Sequence, residues 1–171
     1  DSDDVEGAAK HYVTVNWLLT DVLDDEMTLS LDVLSTILLS TAASPLRKAL
    51  IDSGLGEDIV GGFDEDQRET AFSAGLKGVN AANIDAVEAL VLDTLRKLAS
   101  DGIEPEMIEA AMNTMEFRLR ELNTGGTPRG LVLMLASLRS WLHGGDPLAP
   151  LRFEKPLAAI KAHLANGRYF E

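Results

Sequence analysis

The stretch Tyr12-Val13-Thr14-Val15-Asn16-Trp17-Leu18-Leu19 alternates with a period of two. Val13, Val15, Trp17 and Leu19 would share one face of a strand, and Tyr12, Thr14, Asn16 and Leu18 the other. β-Branched and aromatic residues at this period specify a strand rather than a helix. Because both faces carry apolar residues, the pattern predicts an internal strand. From Glu26 the period changes. Met27, Leu31, Leu34 and Leu38 follow helical spacing, and Asp24, Asp25 and Glu26 favour the positive end of that helix.

Outward from this strand and helix, Ser44-Pro45 predicts a second, shorter helix with serine as its cap and proline in the first turn. Gly54 and Gly56 would end it. Residues 57–63 and 68–79 read as two strands joined by the polar loop Asp64-Glu65-Asp66-Gln67, a short connection that favours an antiparallel hairpin. Gly61 and Gly62 mark a possible bulge in the first of them.

The remainder is helical. Asn83 would cap a helix with the stripe Ile84, Val87, Val91, Leu95 and Leu98. Pro105 opens another, with Ile108, Ala111, Met115, Leu119 and Leu122 facing inward. The segment from Asn123 to Gly130 interrupts it. Thr127-Pro128 restarts a helix whose inward residues are Leu131, Met134, Leu138 and Leu142, and a last helix spans about Lys155 to Leu164. The order strand, helix, short helix, strand, strand, helices predicts an α+β fold: two layers, with a mainly antiparallel sheet covered by helices. Three strands leave an open edge that calls for another segment or domain.

The chain has 171 residues, close to a soft prior of roughly 150 per domain. Residues 1–10 read as a flexible acidic end and 11–171 as a single domain. Fifteen basic residues against 28 acidic ones give a net charge of −13. That excludes nucleic-acid binding through phosphates, which needs a basic face. Residues 1–66 carry 15 acidic and 3 basic side chains, and this half could attract basic peptides or simply be solvated. Without cysteine there is no disulfide, no thiolate metal ligand and no thiol nucleophile. The longest apolar run, Leu131 to Ala136, is far short of the roughly 18 residues that read as a membrane span. No basic-then-apolar signal pattern opens the sequence. The expectation is a soluble protein of bacterial cytoplasm or of an organelle matrix, without a membrane partner.

Catalytic patterns are missing. His11, His143 and His163 are the only histidines, and none has a partner three or four residues away. Neither His-Xaa-Xaa-Glu-His nor its inverse occurs. Ser44 precedes no lysine at the required spacing, and no Gly-Xaa-Ser-Xaa-Gly elbow is present. Gly125-Gly126 beside Arg129 reads as a turn between helices rather than a phosphate cradle. Asp64, Glu65 and Asp66 are consecutive and diverge, whereas acid–base work needs a pair held at a defined distance. Trp17 and Trp141 lie on apolar periodic faces and are read as core anchors. No catalytic, cofactor-binding or metal-ligating residue is assigned.

Three segments nevertheless resemble one family. Ser44-Pro-Leu-Arg-Lys-Ala-Leu-Ile-Asp-Ser-Gly-Leu-Gly56, Phe72-Ser-Ala-Gly-Leu-Lys-Gly-Val79 and Gly126-Thr-Pro-Arg-Gly-Leu131 are similar to the presequence protease branch of the pitrilysin (insulinase-type) zinc metallopeptidases. Trp17-Leu-Leu19 and Gly145-Asp-Pro147 keep the expected order, so the likeness runs from about Tyr12 to Leu164. The resemblance implies one of four related α+β domains that enclose a chamber for unfolded peptides. Such enzymes take zinc from an inverted histidine motif in the first domain, and that motif is absent here. Their last domain supplies an arginine and a tyrosine. Here Ile51 stands about where the arginine would be, and no tyrosine follows. The resemblance therefore implies the second, non-catalytic domain of a zinc metalloendopeptidase, inactive alone, with the other domains of the same protein and unfolded peptide as partners. The alternative is a free-standing, inactive interaction or scaffold domain of the same fold.

Overall fold

The structure is a computed structural model that describes residues 10–121 and 124–171. Strands β1 (Lys10–Asp21), β2 (Asp58–Asp64) and β3 (Glu69–Asn80) form one antiparallel sheet in the order β1-β3-β2. The helices are α1 (Asp25–Leu39), α2 (Pro45–Asp52), α3 (Ile84–Asp101), α4 (Pro105–Glu121), α5 (Arg129–Trp141) and α6 (Glu154–Ala165), with short 3-10 turns at Ala81–Asn83 and Ala149–Leu151. This is the α+β arrangement expected from the sequence. Most of the acidic opening segment, and Leu122 and Asn123, lie outside the described residues, while Lys10 already pairs with Asn80.

The helices cover one face of the sheet. Across β1 and β3 the pairs Val13–Leu76, Val15–Ala74 and Trp17–Phe72 face inward, and the last two rings lie 5.7 Å apart. They join Leu46 and Leu50 of α2 and Val87 and Val91 of α3 in one apolar cluster. A second cluster lies on the far side of α1, where Val33 and Ile37 meet Met112 and Met115 of α4, Ile160 of α6 and Phe170. Each fully buried aliphatic side chain contributes about 1.5–3 kcal/mol relative to an exposed one. Helix α1 is thus shared by two cores, which is why its buried positions do not form one narrow stripe.

Several expectations need correction. β1 is an edge strand: β3 occupies the centre, and Tyr12 and Leu18 on the outer face are each 76% exposed. No bulge interrupts β2 at Gly61 and Gly62, since its register against β3 is continuous. Gly61 answers a different need, because a Cβ there would meet the Ser73 carbonyl oxygen at 2.3 Å. The bulge falls instead in β3 near Gly78, whose φ of 74° suits glycine, where the pairing shifts between His11 and Tyr12.

Pro45 opens α2 as expected, but Ser44 does not cap it. The Ser44 hydroxyl instead accepts the Thr41 amide at 3.0 Å and closes the turn between α1 and α2. Asn83 makes no side-chain cap either, because it ends a 3-10 turn with φ −104° and ψ 2° rather than standing in extended backbone. The cap that does form is on α1, where the Asp24 carboxylate accepts the Met27 amide at 3.0 Å. Met27 itself is exposed, since the inward side of α1 runs through Ser30, Val33 and Ile37.

The largest correction concerns α5. Leu131, Met134 and Leu142 were expected to face inward and Trp141 to anchor a core. All four are exposed, and the residue that α5 buries is Ser140.

Candidate functional site

The three histidines occupy separate parts of the fold. His11 sits on the edge strand opposite Val79. His143 follows α5, and its amide donates to the Ser140 carbonyl at 3.1 Å. His163 on α6 lies 3.0 Å from Glu26 Oε1, and its ring stacks on Tyr169 at 4.9 Å. Among the described residues, no three histidine, aspartate or glutamate side chains come together as metal ligands. A tetrahedral zinc site with an open position needs three protein donors converging at about 2.0–2.2 Å. The residues present do not fit that ion.

A charged cleft of about 390 Å³ lies between α1, the β2–β3 loop, α4, α5 and the turn before α6. Its arginines are matched by carboxylates. Arg118 pairs with Asp32, Arg139 of α5 with Glu65 of the hairpin loop, and Arg152 with Asp146 at 3.0 Å. Burial lowers the pKa of the Arg139 guanidinium, with the charge of Asp32 acting in the opposite sense. Burial raises the pKa of the Asp25 carboxyl, and the nearby Asp24 and Asp146 add to the effect. The Thr28 hydroxyl on the same wall is buried without a hydrogen-bond partner among the described residues.

These ion pairs tie separate elements together. General acid–base catalysis needs two groups poised on a reacting atom. Here Asp32 and Glu65 are each engaged by an arginine, and Asp25 is a carboxyl of the cleft whose pKa burial raises. Ser44 does not line this cleft and is engaged in the α1–α2 turn. Ile51 is on the exposed side of α2, so this helix end presents an apolar group at the position that the resemblance matches to an arginine of the family's last domain. The loop around Gly125 and Gly126 is held by Thr124, whose hydroxyl donates to the Thr127 carbonyl at 2.7 Å. Arg129 beside it reaches back to the Glu121 carbonyl at 3.4 Å and so closes the end of α4. Sequence reading did not find the cleft, because its residues come from five separated segments. The one available signal was the excess of arginine after residue 117 over the acidic first half.

Comparisons with known proteins agree with this geometry. Residues 2–115 match the family described as the Peptidase M16 inactive domain. Presequence protease 1, chloroplastic/mitochondrial, of Arabidopsis thaliana is 48% identical over 159 residues, covering 92% of this chain and 15% of that protein. The mitochondrial presequence protease of Xenopus laevis is 33% identical, again over 92% of this chain and 15% of its own length. The chain thus spans about one-seventh of these relatives. Among solved structures, the inactive peptidase domain of a candidate zinc protease from Bordetella parapertussis superposes with a TM-score of 0.70 at 18% identity, covering 89% of this chain and 80% of that one. At that identity the likeness speaks for the fold alone. The family match covers well over half of the sequence, and the chain belongs to the M16 (pitrilysin-type) metallopeptidase family, as one of its inactive, non-catalytic domains related to the presequence proteases.

Proposed function

We propose that residues 11–171 are the second domain of a zinc metalloendopeptidase that degrades unfolded peptides, packing beside the catalytic domain and lining the peptide chamber. The observation that carries this reading is the match to an inactive M16 domain together with 48% identity to a presequence protease over 92% of the chain. Zinc belongs to the parent enzyme in this reading, and no residue of this chain is assigned to catalysis, cofactor or metal. The partners are the other domains of the same polypeptide and the unfolded peptide. Among the described residues no helix is long and apolar enough to cross a membrane. Relatives named as chloroplastic or mitochondrial, and one from Clostridium perfringens, support an organelle matrix or a bacterial cytoplasm.

The shape supports a wall rather than a machine. Among the described residues no strand pairs with the outer edge of β1, Tyr12 and Leu18 are exposed, and an open edge in a small sheet is normally covered. The test is made on the polypeptide encoded by the complete reading frame. It should carry an inverted histidine motif outside residues 1–171 and cleave an unstructured peptide with zinc. Deleting residues 1–171 should abolish that cleavage. A reading frame that starts near Asp1 and stops after Glu171 would instead support the free-standing scaffold.

A further inference from the structure

We infer that the outward face of α5 is a docking surface for a part of the same polypeptide that lies outside residues 1–171. This rests on the reading above and names the element that makes the contact. At 100° per residue, Leu131, Met134, Leu135, Trp141 and Leu142 fall within an arc of about 120°. That arc faces water: Trp141 is 64% and Leu142 72% exposed. The other side, where Ser140 is buried and Val132, Leu133 and Ala136 are half-buried, is turned toward the domain, and within the arc Leu138 is half-buried. A surface helix ordinarily turns its large apolar side chains inward, whereas α5 leaves Met134, Leu135 and Trp141 outside. The helix is also held in place, because Arg139 pairs with Glu65 and the Gly145 amide donates to the Ser140 carbonyl at 3.0 Å. A fixed helix presenting its apolar side outward is an interface awaiting its other half.

The size of the face says what covers it. Thirteen residues make a helix about 20 Å long, and a face about 10 Å wide offers on the order of 200 Å². Two free proteins need about 800 Å² each for a stable contact. A patch of this size holds a partner that is tethered, because a linked segment docks at millimolar effective concentration. The comparisons supply that tether. The inactive-domain match ends at residue 115, before α5 begins. The 92% match to the Arabidopsis protease leaves too few residues unmatched to omit α5, and roughly 85% of that protein lies beyond this region. The partner is therefore an apolar face within that remaining chain.

Hydroxyl-radical footprinting read at Met134 and Trp141 tests this. In the dilute 171-residue chain both side chains should oxidise rapidly, and in the full-length polypeptide at least about tenfold more slowly, as burial in a packed contact requires. In the full-length protein Leu135→Glu should restore rapid oxidation of Met134. The same change in the 171-residue chain should leave its melting temperature unaltered, since Leu135 is exposed there. Equal oxidation in the short and full-length proteins would overturn the inference. So would protection that appears in the short chain only as its concentration rises, or only with anionic lipid vesicles. A full-length protein that protects Met134 yet cleaves no peptide would uphold the docking and refute only the peptidase reading.

Discussion

Gly61 and Thr70 show how single residues fix the sheet. At Gly61 the φ of 112° and the 2.3 Å approach to Ser73 leave no room for a side chain. Gly61→Ala should destabilise the domain by about 2 kcal/mol or more in urea unfolding, whereas Gly126→Ala, at an open loop position, should change it by less than about 0.5 kcal/mol. Thr70 is fully buried, and its hydroxyl both accepts the Thr20 amide at 3.2 Å and donates to the Thr20 carbonyl at 3.1 Å. These bonds bridge the register shift between Leu18 and Asp21 of β1. Thr70→Val keeps the shape and removes the hydroxyl, so it should cost about 1–2 kcal/mol in the same assay, and Thr70→Ser should retain most of the bridging.

At the scale of elements, the segment after α6 acts as a strap. Tyr169 hydrogen-bonds Ser30 of α1 at 2.9 Å, Phe170 is buried in the second core, and Arg168 donates to the Ser100 and Asp101 carbonyls at the end of α3. Glu171 accepts the Ile103 amide at 3.1 Å. Truncation after Asn166 should lower stability by at least about 3 kcal/mol, chiefly through the lost Phe170. Hydrogen exchange should show the Ile103 amide deprotected before the strands open. An unchanged exchange rate at Ile103 would argue that the strap is dispensable. None of these contacts was legible in sequence, because they join residues about 70 to 140 positions apart.

What the sequence did make legible at this scale is instructive. The strands at 58–64 and 69–80 and the helices from Pro45 and Pro105 lie within a residue or two of their expected bounds, because turn chemistry and periodicity are local. The edge position of β1 and the orientation of α5 were misread for one reason. An apolar face turned outward has the same spacing and composition as one turned to the core, so the exposure of Tyr12, Leu18, Trp141 and Leu142 could not be read from the pattern. The absence of a histidine motif was readable, while the cleft required the fold.

For the whole molecule, surface electrostatics set the response to acid. Asp21 has its pKa lowered by the Leu23 amide and then by Arg68, Asp58 by Lys77, and Glu116 by Lys161 and Arg120. A carboxylate held low in the folded state stabilises the fold above its unfolded pKa, and that contribution disappears as pH falls through the folded value. The ordinary values are 3.8 for aspartate and 4.5 for glutamate, so these contributions should be complete above about pH 5 and fade below that. Asp25, raised by burial, runs the other way and relieves strain on protonation. Unfolding midpoints measured from pH 6 to pH 3 should therefore fall at the acid end, and 1 M salt should flatten the decline because these groups are exposed.

In the proposed role, as a non-catalytic wall of a peptide chamber, the domain should be silent when alone. The purified 171-residue chain, given zinc and a fluorogenic unstructured peptide, should show no turnover above buffer and no zinc uptake by titration calorimetry. Steady cleavage that a chelator stops and added zinc restores would contradict the account at its root.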